Sequence, residues 1–277
     1  MVKSPLFSII IPTLNEANYL PKLLEDLLAQ KKKDFEVLII DGKSQDNTKE
    51  IALKFANSLN LSFHTVEVRN VSYQRNFGAS KAKGDYLFFL DADARLSNAL
   101  IKKATKTVLN SRYLLFIPSV VPQDKNLPDV ISFNLINIFL EASQYTSKPF
   151  SSGGTMIVER NFFFHLGKFN EKLYLAEDHE LVARAKKMGV TSKFVKSIAI
   201  KISLRRLKKE GRLDLYRKYL VASFHTLKNG PIYHKIFEYD MGGSAYKKDN
   251  RRKISIEKLI PHYFNILKRT LDRLISE

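Results

Sequence analysis

Four short apolar runs, each separated from the next by a segment of helical periodicity, restrict this chain to an α/β sheet architecture. Residues 6–12, 35–40, 61–68 and 86–90 read as strands. Between the first two, Tyr19, Leu20, Leu23, Leu24, Leu27 and Leu28 recur at helical spacing, with Pro21 near the first turn. Residues 51–59 and 71–82 are the next two expected helices. Such alternation builds a mostly parallel sheet with right-handed crossovers, and ligands bind at the carboxyl ends of its strands.

Two of those ends are acidic. The run 86–90 is bulky and apolar, as in a strand buried on both faces, and Asp91-Ala92-Asp93 follows at once. In an extended segment positions i and i+2 point the same way, so Asp91 and Asp93 are expected to face one cation. Mg²⁺ and Mn²⁺ take oxygen ligands and are held by one or two carboxylates plus substrate phosphates. An acidic loop capping the next helix would also place aspartates there. The second strand runs into Asp41-Gly42-Lys43-Ser44. Neither dinucleotide-binding nor P-loop glycine spacing follows the first strand, where Thr13-Leu14-Asn15-Glu16 stands instead. Carboxylates there repel a bare phosphate, which points to a nucleotide held through its nucleoside and a bridging cation.

The second half carries Ser151-Ser152-Gly153-Gly154, read as a flexible loop entering a strand; its paired glycines permit close backbone approach to a ligand or a plain turn. Glu177 and Asp178 open a helix, where the dipole alone would favour acidic residues.

With 277 residues and 44% apolar content, the chain can bury one large core. It has no cysteine, which excludes disulfides, thiolate zinc sites and cysteine nucleophiles. A cytoplasmic location is the expectation, because no signal-peptide pattern precedes the first strand and the apolar stretch 130–142 is interrupted and too short to span a bilayer.

The ordered blocks Ser8 to Glu16, Asp41 to Thr48, Gln74 to Ala79, Lys83-Gly84-Asp85, Leu90 to Asp93, Gly153-Gly154, Gly167 to Glu171 and Glu177-Asp178 resemble the family 2 glycosyltransferases over residues 6–195. The resemblance implies an inverting, metal-dependent GT-A enzyme acting on a nucleoside-diphosphate sugar, such as a UDP- or GDP-sugar. It places Pro12, Thr13, Asn15, Glu16, Asp41, Ser44, Arg75 and Asp91 on the donor. Asp91 and Asp93 would hold Mg²⁺ or Mn²⁺. Gly153, Gly154 and Glu177 fall on the acceptor side, and Asp178 is the implied base. A saccharide or lipid-linked acceptor serving glycan or cell-envelope synthesis follows. Two departures stand out: Gly42 occupies a position often held by a second aspartate, and without tryptophan the chain lacks the Q-x-x-R-W motif of processive synthases, favouring single transfer.

The catalytic domain is expected over 1–200, followed by a basic helical region over 201–277. Net charge is +18, and residues 194–277 hold 20 Lys/Arg against 8 Asp/Glu. Leu213, Tyr216, Leu220, Phe224 and Leu227 form one apolar stripe, and Ile256, Leu259, Ile260, Tyr263, Leu267, Leu271 and Leu274 another. Such cationic helices suit the inner face of an anionic membrane or ordinary packing onto the catalytic domain. The rival readings are a basic membrane- or nucleic-acid-binding protein and a haloacid-dehalogenase-like phosphatase. No nucleic-acid recognition motif supports the former, and Asp91-x-Asp93 lies on the fourth strand, not the first, against the latter.

Overall fold

The computed structural model describes residues 4–124 and 126–237. The second basic stripe lies outside these residues.

Strands β1 (Phe7–Thr13), β2 (Phe35–Asp41), β3 (Leu61–Thr65) and β4 (Tyr86–Phe89) alternate with helices α1 (Leu20–Leu28), α2 (Thr48–Leu53) and α3 (Val71–Lys81). There follow α4 (Leu100–Leu109), β5 (Leu115–Pro122), α5 (Leu127–Ser143), β6 (Met156–Glu159), α6 (Arg160–His165), α7 (Glu177–Lys187) and β7 (Lys193–Ile202). Helices α8 (Arg205–Glu210) and α9 (Arg212–Asn229) complete the described chain. The seven strands form one sheet in the order β3-β2-β1-β4-β6-β5-β7. Only β6 runs antiparallel to its neighbours, so the expected mostly parallel α/β sheet is present.

Two elements are shorter than their apolar patterns suggest. The second helix runs Thr48–Leu53 and breaks into turns where 51–59 was expected, and the third strand stops at Thr65 instead of 68. The former begins early because Asp46 accepts from the Thr48 amide at 3.1 Å, a local turn that starts the helix one residue later than Asn47.

The sheet buries both faces. Ile9, Ile11, Val37, Ile39 and Phe88 pack against α1 and α4 on one side; Ile10, Leu38, Ile40, Leu87 and Phe89 pack against α3, α6 and α7 on the other. Pairing of Thr13 with Asp41 and of Ile10 with Phe89 brings the carboxyl ends of β1, β2 and β4 to one rim. At the opposite rim Gly84 permits a close approach: a Cβ there would sit 2.6 Å from the Ser8 amide nitrogen. Its N–H donates to Ser8 Oγ at 2.8 Å, and Ser8 donates to the buried Glu36 at 2.6 Å. The Lys83-Gly84-Asp85 block therefore anchors the start of β4 far from the acidic rim.

Candidate active site

Three consecutive residues of α3 hold the acidic rim together. Successive helical residues point about 100° apart, so each reaches a different element. Gln74 donates to the carbonyls of Thr13 (2.9 Å) and Ile40 (2.7 Å), tying the ends of β1 and β2 where their loops diverge. Asn76 donates to the Phe169 carbonyl at 2.9 Å and to Glu171 at 2.8 Å, fixing the 167–171 turn that leads to α7. Between them Arg75, its side chain only 3% exposed, donates to Asp91 at 2.9 Å and to Glu177 at 2.6 Å.

Arg75 thus joins the β4 loop to the start of α7. Burial disfavours its charge, but Asp91, Glu177 and Asp178 outweigh that and hold its pKa above the usual arginine value. The Asp91 pKa is raised as well, which disfavours its charge: burial lifts the carboxyl above the ordinary range, with Arg75 opposing. Gly154 is packed against the same guanidinium, and a Cβ there would lie 2.1 Å from Arg75 Nη2. Its N–H donates to Asp178 at 2.9 Å from a backbone φ of +83°. Of the paired glycines, Gly154 therefore admits Arg75. Gly153 has open space around its Cα.

Asp178 is buried in the first turn of α7, entered through Ala176 at φ +63°, a strained conformation for alanine. Burial would raise its carboxyl; the His179 ring, the Gly154 N–H and Arg75 prevail and hold it below the usual carboxylate range. His179 Nδ1 accepts from the Ser151 amide at 3.1 Å, which places the neutral ring's proton on Nε2. The Gly154 N–H and the Arg75 charge therefore chiefly keep Asp178 ionised.

The Asp91-Ala92-Asp93 segment is not extended. Strand β4 ends at Phe89, and the Ala94 amide donates to the Asp91 carbonyl at 3.0 Å, closing a turn. The two carboxylates separate as a result: Asp91 turns to Arg75, whereas Asp93 pairs with Arg205 Nε at 2.9 Å. Arg205, at the start of α8, also grips Glu16 with both terminal nitrogens, at 2.7 and 2.8 Å, and lies 4.4 Å over the Tyr19 ring. Burial raises the Glu16 carboxyl despite this pair, and the charges of Asp93 and Asp91 add to the rise.

The remaining donor-side residues line the β1 and β2 ends. Asp41 is buried and accepts from Thr13 Oγ1 at 2.9 Å, the Ser44 amide at 2.8 Å and Ser44 Oγ at 2.5 Å. Asn15, at φ +56°, donates its N–H to Ser44 Oγ at 2.7 Å and accepts from Gln45. Pro12 pairs with Ile40 in the sheet. Strand-end reasoning brought Asp41 and Asp91 to one rim and the family resemblance added Asp178, but neither pointed to Arg205, whose run Leu204-Arg205-Arg206 reads as an ordinary basic helix.

A mostly parallel sheet with acidic loops at its carboxyl rim, braced by one buried arginine, is an α/β frame that takes its ligand at that rim. Residues 8–166 match the family model for glycosyl transferase family 2, and this chain belongs to that family. It is 43% identical over 98 residues to a PGL/p-HBAD biosynthesis glycosyltransferase of Mycobacterium bovis, spanning 35% of this chain and 38% of that protein. It is 29% identical over 193 residues to the poly(ribitol-phosphate) beta-N-acetylglucosaminyltransferase TarS of Staphylococcus aureus, spanning 65% of this chain and 32% of TarS. The matches thus cover about a third of the length of these relatives. Among solved structures, TarS 1–349 with UDP-GlcNAc matches at a TM-score of 0.59 and 24% identity over 71% of this chain and 58% of that one. The mannosyltransferase PcManGT of Pyrobaculum calidifontis, with GDP-Man and Mn²⁺, matches at 0.62 and 19% over 79% and 65%. The fold is therefore the GT-A fold.

Proposed function

We propose that this chain transfers a sugar from a nucleoside-diphosphate sugar to an acceptor hydroxyl or phosphate, with inversion at the anomeric carbon. The observation that carries this reading is the Arg75 cluster, which brings Asp91 from the strand rim within one side chain of Glu177 and Asp178. In this reading the β1 and β2 loops take the nucleoside, and Asp178 removes the acceptor proton, a contribution of roughly 10² to 10⁴ in rate. Its depressed pKa keeps it ionised near neutrality. No covalent sugar–enzyme intermediate is invoked, so one displacement inverts the configuration.

The oxygen donors at the rim suit a hard divalent cation such as Mg²⁺ or Mn²⁺. Among the described residues no three acidic or histidine side chains form a complete cage, so donor phosphates would supply the remaining ligands. Asp93 and Asp91 would hold the ion on turning from their present partners, Arg205 and Arg75. The cation would offset charge developing on the leaving diphosphate. Arg205 already provides positive charge against Glu16 and Asp93, the role a cation would take there. The Mn²⁺ and GDP-Man beside the related fold, and UDP-GlcNAc in TarS, support such a donor and metal. The catalytic unit in this reading runs past residue 200 to include Arg205.

Thermal unfolding with UDP, GDP, CMP or dTDP, each with Mn²⁺, Mg²⁺ or chelator, tests the reading. Ligand at about 100 times its Kd adds about 2.7 kcal/mol, a rise of roughly 5–10 °C for a chain this size. A metal-dependent rise with one nucleotide identifies the donor class; none with any would refute the proposal.

A further inference from the structure

The segment leading into Asp178 is held by residues well beyond those that match the family model, which ends at residue 166. Helix α9 stops at Asn229, where Gly230 takes a φ of +86° and Pro231 bars a further turn. The chain then returns, and Ile232 pairs antiparallel with Leu175 in an isolated bridge. The Tyr174 amide donates to the Ile232 carbonyl at 2.8 Å, and the Tyr174 hydroxyl donates to the Phe237 carbonyl at 3.0 Å. Tyr174 is thereby gripped through both its backbone and its side chain. The bridged side chains belong to the interior: Ile232 is 1% exposed and Leu175 8%.

The residue that follows is Ala176, at φ +63° and ψ +34°. Its Cβ crowds the backbone in this left-handed conformation, which glycine takes freely. Such strain persists only where the surroundings fix the chain on both sides. Downstream, the Glu180 amide donates to the Ala176 carbonyl at 3.0 Å, Glu177 accepts from Arg75 at 2.6 Å, and Asp178 accepts from the Gly154 N–H at 2.9 Å. Upstream, Asn76 fixes Phe169 and Glu171, but the residues next to Ala176 are Tyr174 and Leu175, and these are held by residues 232–237. Without that hold Ala176 would be free to relax to a negative φ. The first turn of α7 would then swing, and Asp178 with it, away from Gly154.

We propose that Ile232 and Tyr174 are positioning residues for Asp178: the bridge after α9 keeps Ala176 left-handed and so aims the Asp178 carboxylate at the Gly154 N–H. That Asp178 acts as a base rests on the glycosyl-transfer reading; the coupling of the bridge to the Gly154–Asp178 bond does not.

Amide hydrogen exchange of the full chain, followed by NMR at Gly154 with no substrate present, tests the coupling. Ile232→Ala is expected to speed exchange at Gly154 and Glu180 at least about tenfold, while the amides of β1 keep their wild-type rates. Adding Ala176→Gly, which takes a positive φ without strain, is expected to return both rates to within about threefold of wild type. That rescue separates positioning from lost core packing, which a glycine at 176 does not restore. The proposal is overturned if Ile232→Ala leaves Gly154 unchanged, if β1 amides speed up by the same factor, or if Ala176→Gly gives no rescue. Should Ile232→Ala fail to fold, Tyr174→Phe removes only the hydroxyl bonded to Phe237. It is expected to speed Gly154 exchange about threefold, again reversed by Ala176→Gly, and unchanged exchange overturns the proposal. Thermal stabilisation by UDP or GDP is expected to match wild type in each variant, because the ends of β1 and β2 are untouched. Its absence from the wild type would refute the glycosyl-transfer reading and leave the coupling standing.

Discussion

Replacing Arg75 by methionine removes the one guanidinium that neutralises Asp91 and Glu177 together. Breaking a buried pair by deleting one partner costs about 3–5 kcal/mol, because the other charge is left uncompensated. Here the Asp91 side chain is 39% exposed and Glu177 13%, so water recovers part of the loss. We therefore expect about 3 kcal/mol at neutral pH, or roughly 6–12 °C in Tm at 2–4 °C per kcal/mol. The loss should depend on pH with a definite sign. Burial already raises the Asp91 carboxyl against the pull of Arg75, and without Arg75 it rises further. A raised folded-state pKa gives stability that is present at low pH and lost as pH rises through it. The gap between variant and wild type should consequently be small near about pH 4 and full near about pH 7. Thermal unfolding across that range measures it. A gap that stays constant, or one below about 1 kcal/mol at neutral pH, refutes the claim that Arg75 acts as the shared counter-charge.

Asp178→Asn should abolish transfer yet leave nucleotide-induced stabilisation intact; its lowered pKa gives stability present above the unfolded value and lost on acidification, so the stability gap to wild type should close at low pH. Gly154→Ala should destabilise by about 1–3 kcal/mol, since it combines a left-handed backbone with a Cβ 2.1 Å from Arg75, and melting would check this. Arg205→Gln should strip Glu16 of its bidentate partner and free Asp93, lowering the melting temperature more at neutral than at acid pH because the Glu16 pKa is already raised. The same variant should bind Mn²⁺ more tightly without nucleotide, measurable by calorimetry; weaker binding would show that Arg205 does not compete with the cation.

The sheet was legible because its signals are local. Apolar runs before Asp41 and Asp91 mark buried strands, and parallel pairing then places both residues at one rim whatever the loops do. The direction of side chains within those loops was not legible. Asp91 and Asp93 read as an extended pair, but the turn at Asp91–Ala94 is set by tertiary contacts with Arg75 and Arg205, 16 and 112 positions away in sequence. Glycines carried the same ambiguity: Gly154 reads as room for a ligand, whereas a guanidinium takes that space. The α9 stripe was legible only as a stripe: Tyr216 packs inward while Leu220 and Phe224 face outward, because periodicity reports that a stripe exists and not which neighbour covers it.

The family model ends at residue 166, but the electrostatic frame of the rim does not. Glu177 and Asp178 enter through α7, and Arg205 through α8, so the later part of the chain supplies both the proposed base and the charge that balances Glu16 and Asp93. Leu204 and Leu207 hold α8 in place by packing on Val120, Phe133 and Phe150. Phe150 in turn contacts His179 beside Asp178. One apolar cluster therefore supports Arg205 on the donor side and the Asp178 neighbourhood on the acceptor side. Helix α5 contributes Phe133 and Leu140 to this cluster, so a shift of α5 would be felt at both.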